Sequence, residues 1–255
     1  CRLLDSQNYR RAWGSYATCL RKFELLKEAK SIQPLSGKAV VLLHGLGRTR
    51  SSMSQLAKHF EAKGHISINV EYASTRASIK DHALALNRII NQLEGVEEIR
   101  FVGHSLGNIV FRYYLKEFTS STQGDPRIQS SVMIAPPNNG THLGRLLNRT
   151  GLFGLFTGLS GKELAGDWDK FSEKLATPEH RFGVVAGKFN GNPLFQTDND
   201  TTVSIEETQL PGAHDFQIVK SMHAFITFHP EVIAAVDNFF ANGYFETEAN
   251  RKPLS

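Results

Sequence analysis

The chain has 255 residues, 40% of them hydrophobic and 21% charged, which is enough for a full globular core of one large α/β domain and excludes a disordered, collagenous or disulfide-stapled chain. Its 29 basic and 25 acidic residues leave a net charge of +4 without a basic block, so no nucleic-acid groove is expected. Two cysteines, Cys1 and Cys19, cannot build a disulfide framework, and no apolar run approaches the roughly 20 residues that span a bilayer.

The chain starts at Cys1 rather than Met. An exported protein that has lost a signal peptide is one reading, with either a lipid-modified Cys1 or a Cys1–Cys19 disulfide; a trimmed chain with two ordinary thiols is the other. Residues 1–37 read as a helical extension, because Trp13, Tyr16, Leu20, Phe23 and Leu26 recur at helical spacing. Pro34 and Gly37 then punctuate the chain.

From Lys38 the pattern alternates. The run Ala39–Leu43 is apolar throughout, as in a strand buried on both faces. A helix follows over Ser51–Lys63, a strand over Ile66–Tyr72 and a helix over Ile79–Leu93. Ile99–Val102 is a strand and Leu106–Phe118 a helix. Ser130–Ala135, Phe182–Ala186 and Phe216–Val219 complete six strands, and Pro230 opens a final helix ending near Phe240. The expected fold class is α/β, a mostly parallel central sheet of about six strands flanked by helices, in a single domain 1–255. One segment breaks the rhythm. Residues 141–180 are far longer than an ordinary connection and carry Leu152, Phe153, Leu155 and Phe156 opposite a row of glycines. Such an insertion is either a packed helical connection or a lid over an apolar site.

Gly103-His104-Ser105-Leu106-Gly107 places Gly-x-Ser-x-Gly between a predicted strand and a predicted helix. The bare pattern arises by chance in roughly one chain of this length in ten, so the flanking elements carry the inference. A serine on a sharp strand-to-helix turn is exposed as a nucleophile, and the helix N-terminus offers free N–H groups where negative charge develops. His44-Gly45-Leu46-Gly47 follows the first apolar strand, and glycines there let the turn aim N–H groups inward. The Leu46 and Leu106 amides are therefore assigned as oxyanion donors. A serine also needs a base and an orienting carboxylate. His223 lies just past the last strand, at the end where Ser105 emerges, whereas His214 precedes that strand and His229 belongs to the last helix. Asp200 is the preferred acid, with Asp198 as the alternative.

These residues resemble the α/β-hydrolase superfamily, specifically its small bacterial lipase- and esterase-like members. The resemblance also rests on Val41–Gly47, Tyr72–Arg76, Ala135–Gly140, Asn199–Ser204 and Ser221–Ile226, and spans about residues 38–240. It implies a carboxylic ester hydrolase with Ser105 as nucleophile, Asp200 as acid and His223 as base. It also implies that residues 141–180 act as a lid-like cover with Leu152, Phe153, Leu155 and Phe156 toward an acyl pocket. No metal or organic cofactor is expected. The expected partners are a small-molecule or lipid-like ester and, transiently, a lipid interface. A thioesterase, amidase or acyltransferase on the same residues, or a non-catalytic binding protein of the same fold, are the alternatives. Two departures stand out: Thr201 occupies a position where the family usually has glycine, and Asn108 replaces a second glycine after the serine turn, a change expected to be neutral.

Overall fold

The computed structural model describes residues 1–5, 9–119, 124–142, 153–189 and 197–255, with 153–157 described by their backbone alone. The chain divides into two compact units, Cys1–Ser36 and Gly37–Ser255.

In the first unit, β1 (Arg2–Leu4) pairs antiparallel with β2 (Arg10–Trp13), and α1 (Tyr16–Ala29) follows. Trp13 is thus not part of the expected helical stripe but the last residue of a strand, 68% exposed, with the Arg10 guanidinium over its ring. The cause is Gly14, whose φ of +126° lies outside the helical region and breaks the chain between Trp13 and the N-cap Ser15. The Ser15 hydroxyl accepts from the Thr18 N–H at 3.1 Å and fixes where the helix starts. Cys1 is an exposed free thiol and Cys19 a buried one.

The second unit is built on a six-stranded sheet in the order β4-β3-β5-β6-β7-β8, with every pairing parallel. The strands are β3 (Gly37–Leu43), β4 (Ile66–Val70), β5 (Val96–His104), β6 (Ile128–Ile134), β7 (Arg181–Gly187) and β8 (Asp215–Val219), so all six expected strands form. Successive side chains of a strand point to opposite faces. Val41, Leu43 and Phe101 accordingly pack with α3 (Ile79–Ile90) and α4 (Leu106–Phe118) on one face. Val40, Leu42 and Val102 pack with α2 (Ser54–Ala62) and the C-terminal helix Pro230–Asn242 on the other. Both faces are covered, which is why the central strands read as unbroken apolar runs.

The expected insertion contains α5 (Phe153–Ala165) and α6 (Trp168–Ser172). Gly158 interrupts α5 with a φ of +67°, and a Cβ there would lie 1.6 Å from the Thr75 carbonyl. Beyond it, the Ser160 hydroxyl donates to the Ala77 carbonyl at 2.8 Å, and the Glu163 carboxylate accepts from the Ile79 N–H at 2.8 Å. The second half of α5 is thereby docked on the connection between β4 and α3. A short helix α7 (Ile205–Thr208) precedes β8, and the C-terminal helix is α8. Pro230 opens α8, and Gly243 closes it in the left-handed region, its N–H bonded to the Phe239 carbonyl.

The strand order decides where a site can form. The chain runs from β3 outward to β4, then returns to β5 on the other side of β3. A reversal of this kind opens a crevice at the carboxyl ends of the strands. His44, Ser105 and the segments after β7 and β8 all emerge at that end.

Candidate active site

Ser105 is the single residue between β5 and α4, and it turns the chain with φ 51° and ψ −121°. A non-glycine residue there stores on the order of 1–3 kcal/mol of strain and persists only if its surroundings impose it. Several contacts do so. The Ser105 N–H donates to the Ile134 carbonyl at 3.0 Å, and the Asn108 N–H donates to the Ser105 carbonyl at 3.0 Å. The Asn108 side-chain amide donates to the Ser105 and Ile134 carbonyls, each at 3.2 Å. Asn108 is thus not a neutral replacement for glycine, because it ties the turn to β6. The motif glycines answer to close approach. A Cβ at Gly103 would lie 2.1 Å from Asn108 Oδ1, and one at Gly107 would lie 2.4 Å from the Leu43 carbonyl.

His223 follows β8 and stands between the other two chemistry-bearing residues. Its Nδ1–H donates to Asp200 Oδ2 at 2.6 Å, and its Nε2 accepts from the Ser105 hydroxyl at 3.0 Å. The carboxylate can only accept, so it fixes the tautomer that leaves the Nε2 lone pair facing the serine. Asp200 is 1% exposed, and its Oδ1 accepts from the Thr202 and Val203 N–H groups at 3.0 and 2.8 Å. Thr201 keeps the left-handed turn that glycine would favour, with a φ of 87°. Asp198, the alternative acid, points elsewhere: it forms an exposed ion pair with Lys188 at 2.5 Å. His214 lies before β8, where its N–H donates to the Phe182 carbonyl, and His229 caps α8. His104 backs the site: its buried Nε2–H donates to the His223 carbonyl at 3.1 Å. Burial, with His223 beside it, holds the His104 ring well below the usual imidazole range, so it stays neutral.

The Leu46 and Leu106 amides both border the serine, and neither has a hydrogen-bond partner among the described residues. Leu106 opens α4, so its free N–H also lies at the positive end of that helix. The turn carrying Leu46 is held by residues to which sequence reasoning gave no role. The Tyr72 hydroxyl donates to the His44 carbonyl, and the Gly47 N–H donates to the Ser74 hydroxyl at 3.0 Å. The His44 ring stacks on Tyr72 with centroids 4.1 Å apart, and its Nδ1–H donates to the Gly45 carbonyl. Burial lowers the His44 proton affinity, in keeping with that neutral tautomer.

A cavity of about 300 Å³ opens on these groups. Leu46, Arg48, His104, Ser105, Pro137, Thr201, Val203, His223 and Ala224 line it, and the insertion contributes Thr141 and Leu164. Of the expected acyl-pocket residues, Leu152 lies outside the described residues. Phe153, Leu155 and Phe156 fall in the first turns of α5, where side chains lie outside the description. Among the described residues, no three His, Cys, Asp or Glu side chains gather as a metal site.

Residues 64–146 match the model of a family described as alpha/beta hydrolase of unknown function (DUF915). No curated protein sequence matches the chain. Among solved structures, the chain is similar to phospholipase PlaB from Legionella pneumophila, at 17% identity and a TM-score of 0.56, over 68% of this chain and 45% of that one. It therefore spans less than half the length of that phospholipase. It is also similar to the mature lipase BlEst2 of Bacillus licheniformis, at 18% identity and a TM-score of 0.61, over 82% of this chain and 94% of that one. A metagenomic carboxyl esterase, MGS0156, shares 16% identity at a TM-score of 0.55, over 76% of this chain and 68% of that one. With its six-stranded parallel sheet, its serine on a strained strand-to-helix turn and these likenesses, the chain has the α/β-hydrolase fold.

Proposed function

We propose that the protein is a carboxylic ester hydrolase working through an acyl-enzyme on Ser105. The observation that carries this reading is the hydrogen-bonded line from Asp200 through His223 to Ser105, which ends in a cavity lined by Leu46, next to the Leu46 and Leu106 amides that have no partner among the described residues. The Ser105 oxygen attacks the ester carbonyl carbon as its proton passes to His223 Nε2. The oxygen that gains negative charge is held by the Leu46 and Leu106 N–H groups. Collapse breaks the bond to the alcohol, which leaves with the proton from His223. Water then attacks the acyl-enzyme, gives its proton to His223 and releases the acid, and that proton returns to Ser105. Asp200 holds the productive tautomer and stabilises the imidazolium that forms in both halves.

The lipase, esterase and phospholipase neighbours favour an oxygen ester as substrate and a lipid-like one within that class. Two measurements test the reading. A fluorophosphonate probe is expected to label Ser105, and p-nitrophenyl ester hydrolysis is expected to vanish in Ser105→Ala. Full turnover by Ser105→Ala, or absence of labelling in the parent protein, would overturn it.

A further inference from the structure

The cavity at Ser105 contains one charge that this reaction does not use. Arg48 lies two residues beyond Leu46 and lines the cavity together with Ser105 and His223. One of its terminal nitrogens donates to the carbonyl of Ala224, the residue after His223, at 2.7 Å. The guanidinium carries five N–H donors in a planar fork, so this one bond leaves most of them available.

Among the described residues, no carboxylate forms an ion pair with that charge. No acidic residue lines the cavity. The stretches outside the described residues contain no Asp or Glu either. Burying a cation without a partner is costly, and buried charges in proteins are ordinarily paired. The charge is felt nearby. After burial and His223, Arg48 is among the influences that keep the His104 ring neutral. Half-buried, tethered and without an ion-pair partner among the described residues, this cation would meet any anion that enters the cavity.

Its place in the cavity says which part of the substrate it meets. The leaving alcohol takes its proton from His223, so the alcohol portion lies on the His223 side, where Arg48 is clamped to Ala224. We propose, resting on the ester-hydrolase reading above, that Arg48 selects carboxylic esters whose alcohol portion carries a phosphate or a carboxylate. Either anion can take two parallel N–H bonds from the guanidinium fork.

The test compares three butyryl esters on the intact protein: neutral monobutyrin, butyrylglycerol phosphate and O-butyryl lactate. The parent protein is expected to favour an anionic ester over monobutyrin in kcat/KM by roughly ten- to hundredfold, less so as salt is raised. Whichever anion is preferred identifies the charged group. In Arg48→Gln the anionic-to-neutral ratio is expected to fall to about one, and Arg48→Lys is expected to retain part of it. A purely structural role for Arg48 would lower turnover of all three esters alike and leave the ratio unmoved. Equal turnover of the three esters by the parent protein, or a ratio that survives Arg48→Gln, overturns the proposal and leaves the ester-hydrolase reading standing. Failure of the parent protein to hydrolyse any of the three while it turns over p-nitrophenyl esters overturns the proposal alone; failure on p-nitrophenyl esters as well overturns both.

Discussion

His223 and Asp200 are joined twice: the His223 main-chain N–H donates to the Asp200 carbonyl at 2.7 Å, and the His223 ring donates to the Asp200 carboxylate at 2.6 Å. The first link survives any side-chain change. In Asp200→Asn the amide oxygen stays on the Thr202 and Val203 N–H groups, so the amide NH₂ faces His223 Nδ1. That donor forces the proton onto Nε2, and the ring can no longer accept from Ser105. The expected outcome is a fall in kcat of about 10⁴-fold with unchanged circular dichroism. A loss below tenfold would contradict the role given to Asp200.

Thr201 is a β-branched residue held at a φ of 87° beside Asp200. The left-handed conformation costs such a residue about 1–2 kcal/mol, and glycine gives back about 0.5–1 kcal/mol in chain entropy. Thr201→Gly is therefore expected to raise Tm by about 1–3 °C in a thermal melt. An unchanged or lower Tm would show that the turn is not strained.

Gly107→Ala tests the approach of α4 to β3. The added methyl would sit 2.4 Å from the Leu43 carbonyl, so the start of the helix must move. Overpacking of this kind costs about 1–3 kcal/mol and outweighs alanine's helix preference. A Tm loss of several degrees is expected. A kcat loss should accompany it, because the Leu106 N–H shifts with the helix.

Acid is expected to destabilise the protein through histidines that burial keeps neutral, half-buried His180 and buried His104. Burial, with a contribution from His214, lowers the His180 pKa from 6.5 to about 4. A ring with a depressed folded pKa takes up protons more readily when unfolded, so stability is highest above the unfolded value and is lost as pH falls through this window. His180 alone accounts for about 2–3 kcal/mol between pH 6.5 and about 4, and neutral His104 adds in the same direction. Urea midpoints are expected to fall from about pH 7 to about pH 4.5, with a shallower fall in His180→Gln. An equal fall in both proteins would remove His180 from the account.

The sheet was legible because its strands are buried on both faces and read as apolar runs bounded by turns. The order of Ser105, Asp200 and His223 was legible because each follows a strand at the same end of that sheet. Trp13 misled because helical spacing alone does not register a backbone break at Gly14. The short hairpin before it is largely exposed and carries no alternation to read. Asp200 and Asp198 could not be separated by composition, since both lie in one polar turn; only the fold shows one buried against His223 and the other paired with Lys188. Tyr72, Ser74 and Asn108 act through bonds to main-chain groups distant in sequence, which no spacing rule contains. Arg48 had a signal that was open to reading: a cation directly after the glycine turn assigned to the oxyanion.

Ser74→Ala deletes the acceptor of the Gly47 N–H and loosens the turn that carries Leu46. A kcat loss of about tenfold is expected with little change in KM, because the Leu46 donor matters most as the oxyanion forms. A KM effect without a kcat effect would assign Ser74 to substrate binding instead.

The docking of Gly158 on Thr75 gives that turn a second input. Thr75 adjoins Ser74, and Ala77 and Ile79, farther along the same connection, receive Ser160 and Glu163 of the insertion helix. The insertion helix and the turn that carries Leu46 thus both bear on one short connection, residues 74–79. A change at the insertion helix would reach the turn that carries Leu46 through Thr75 and Ser74.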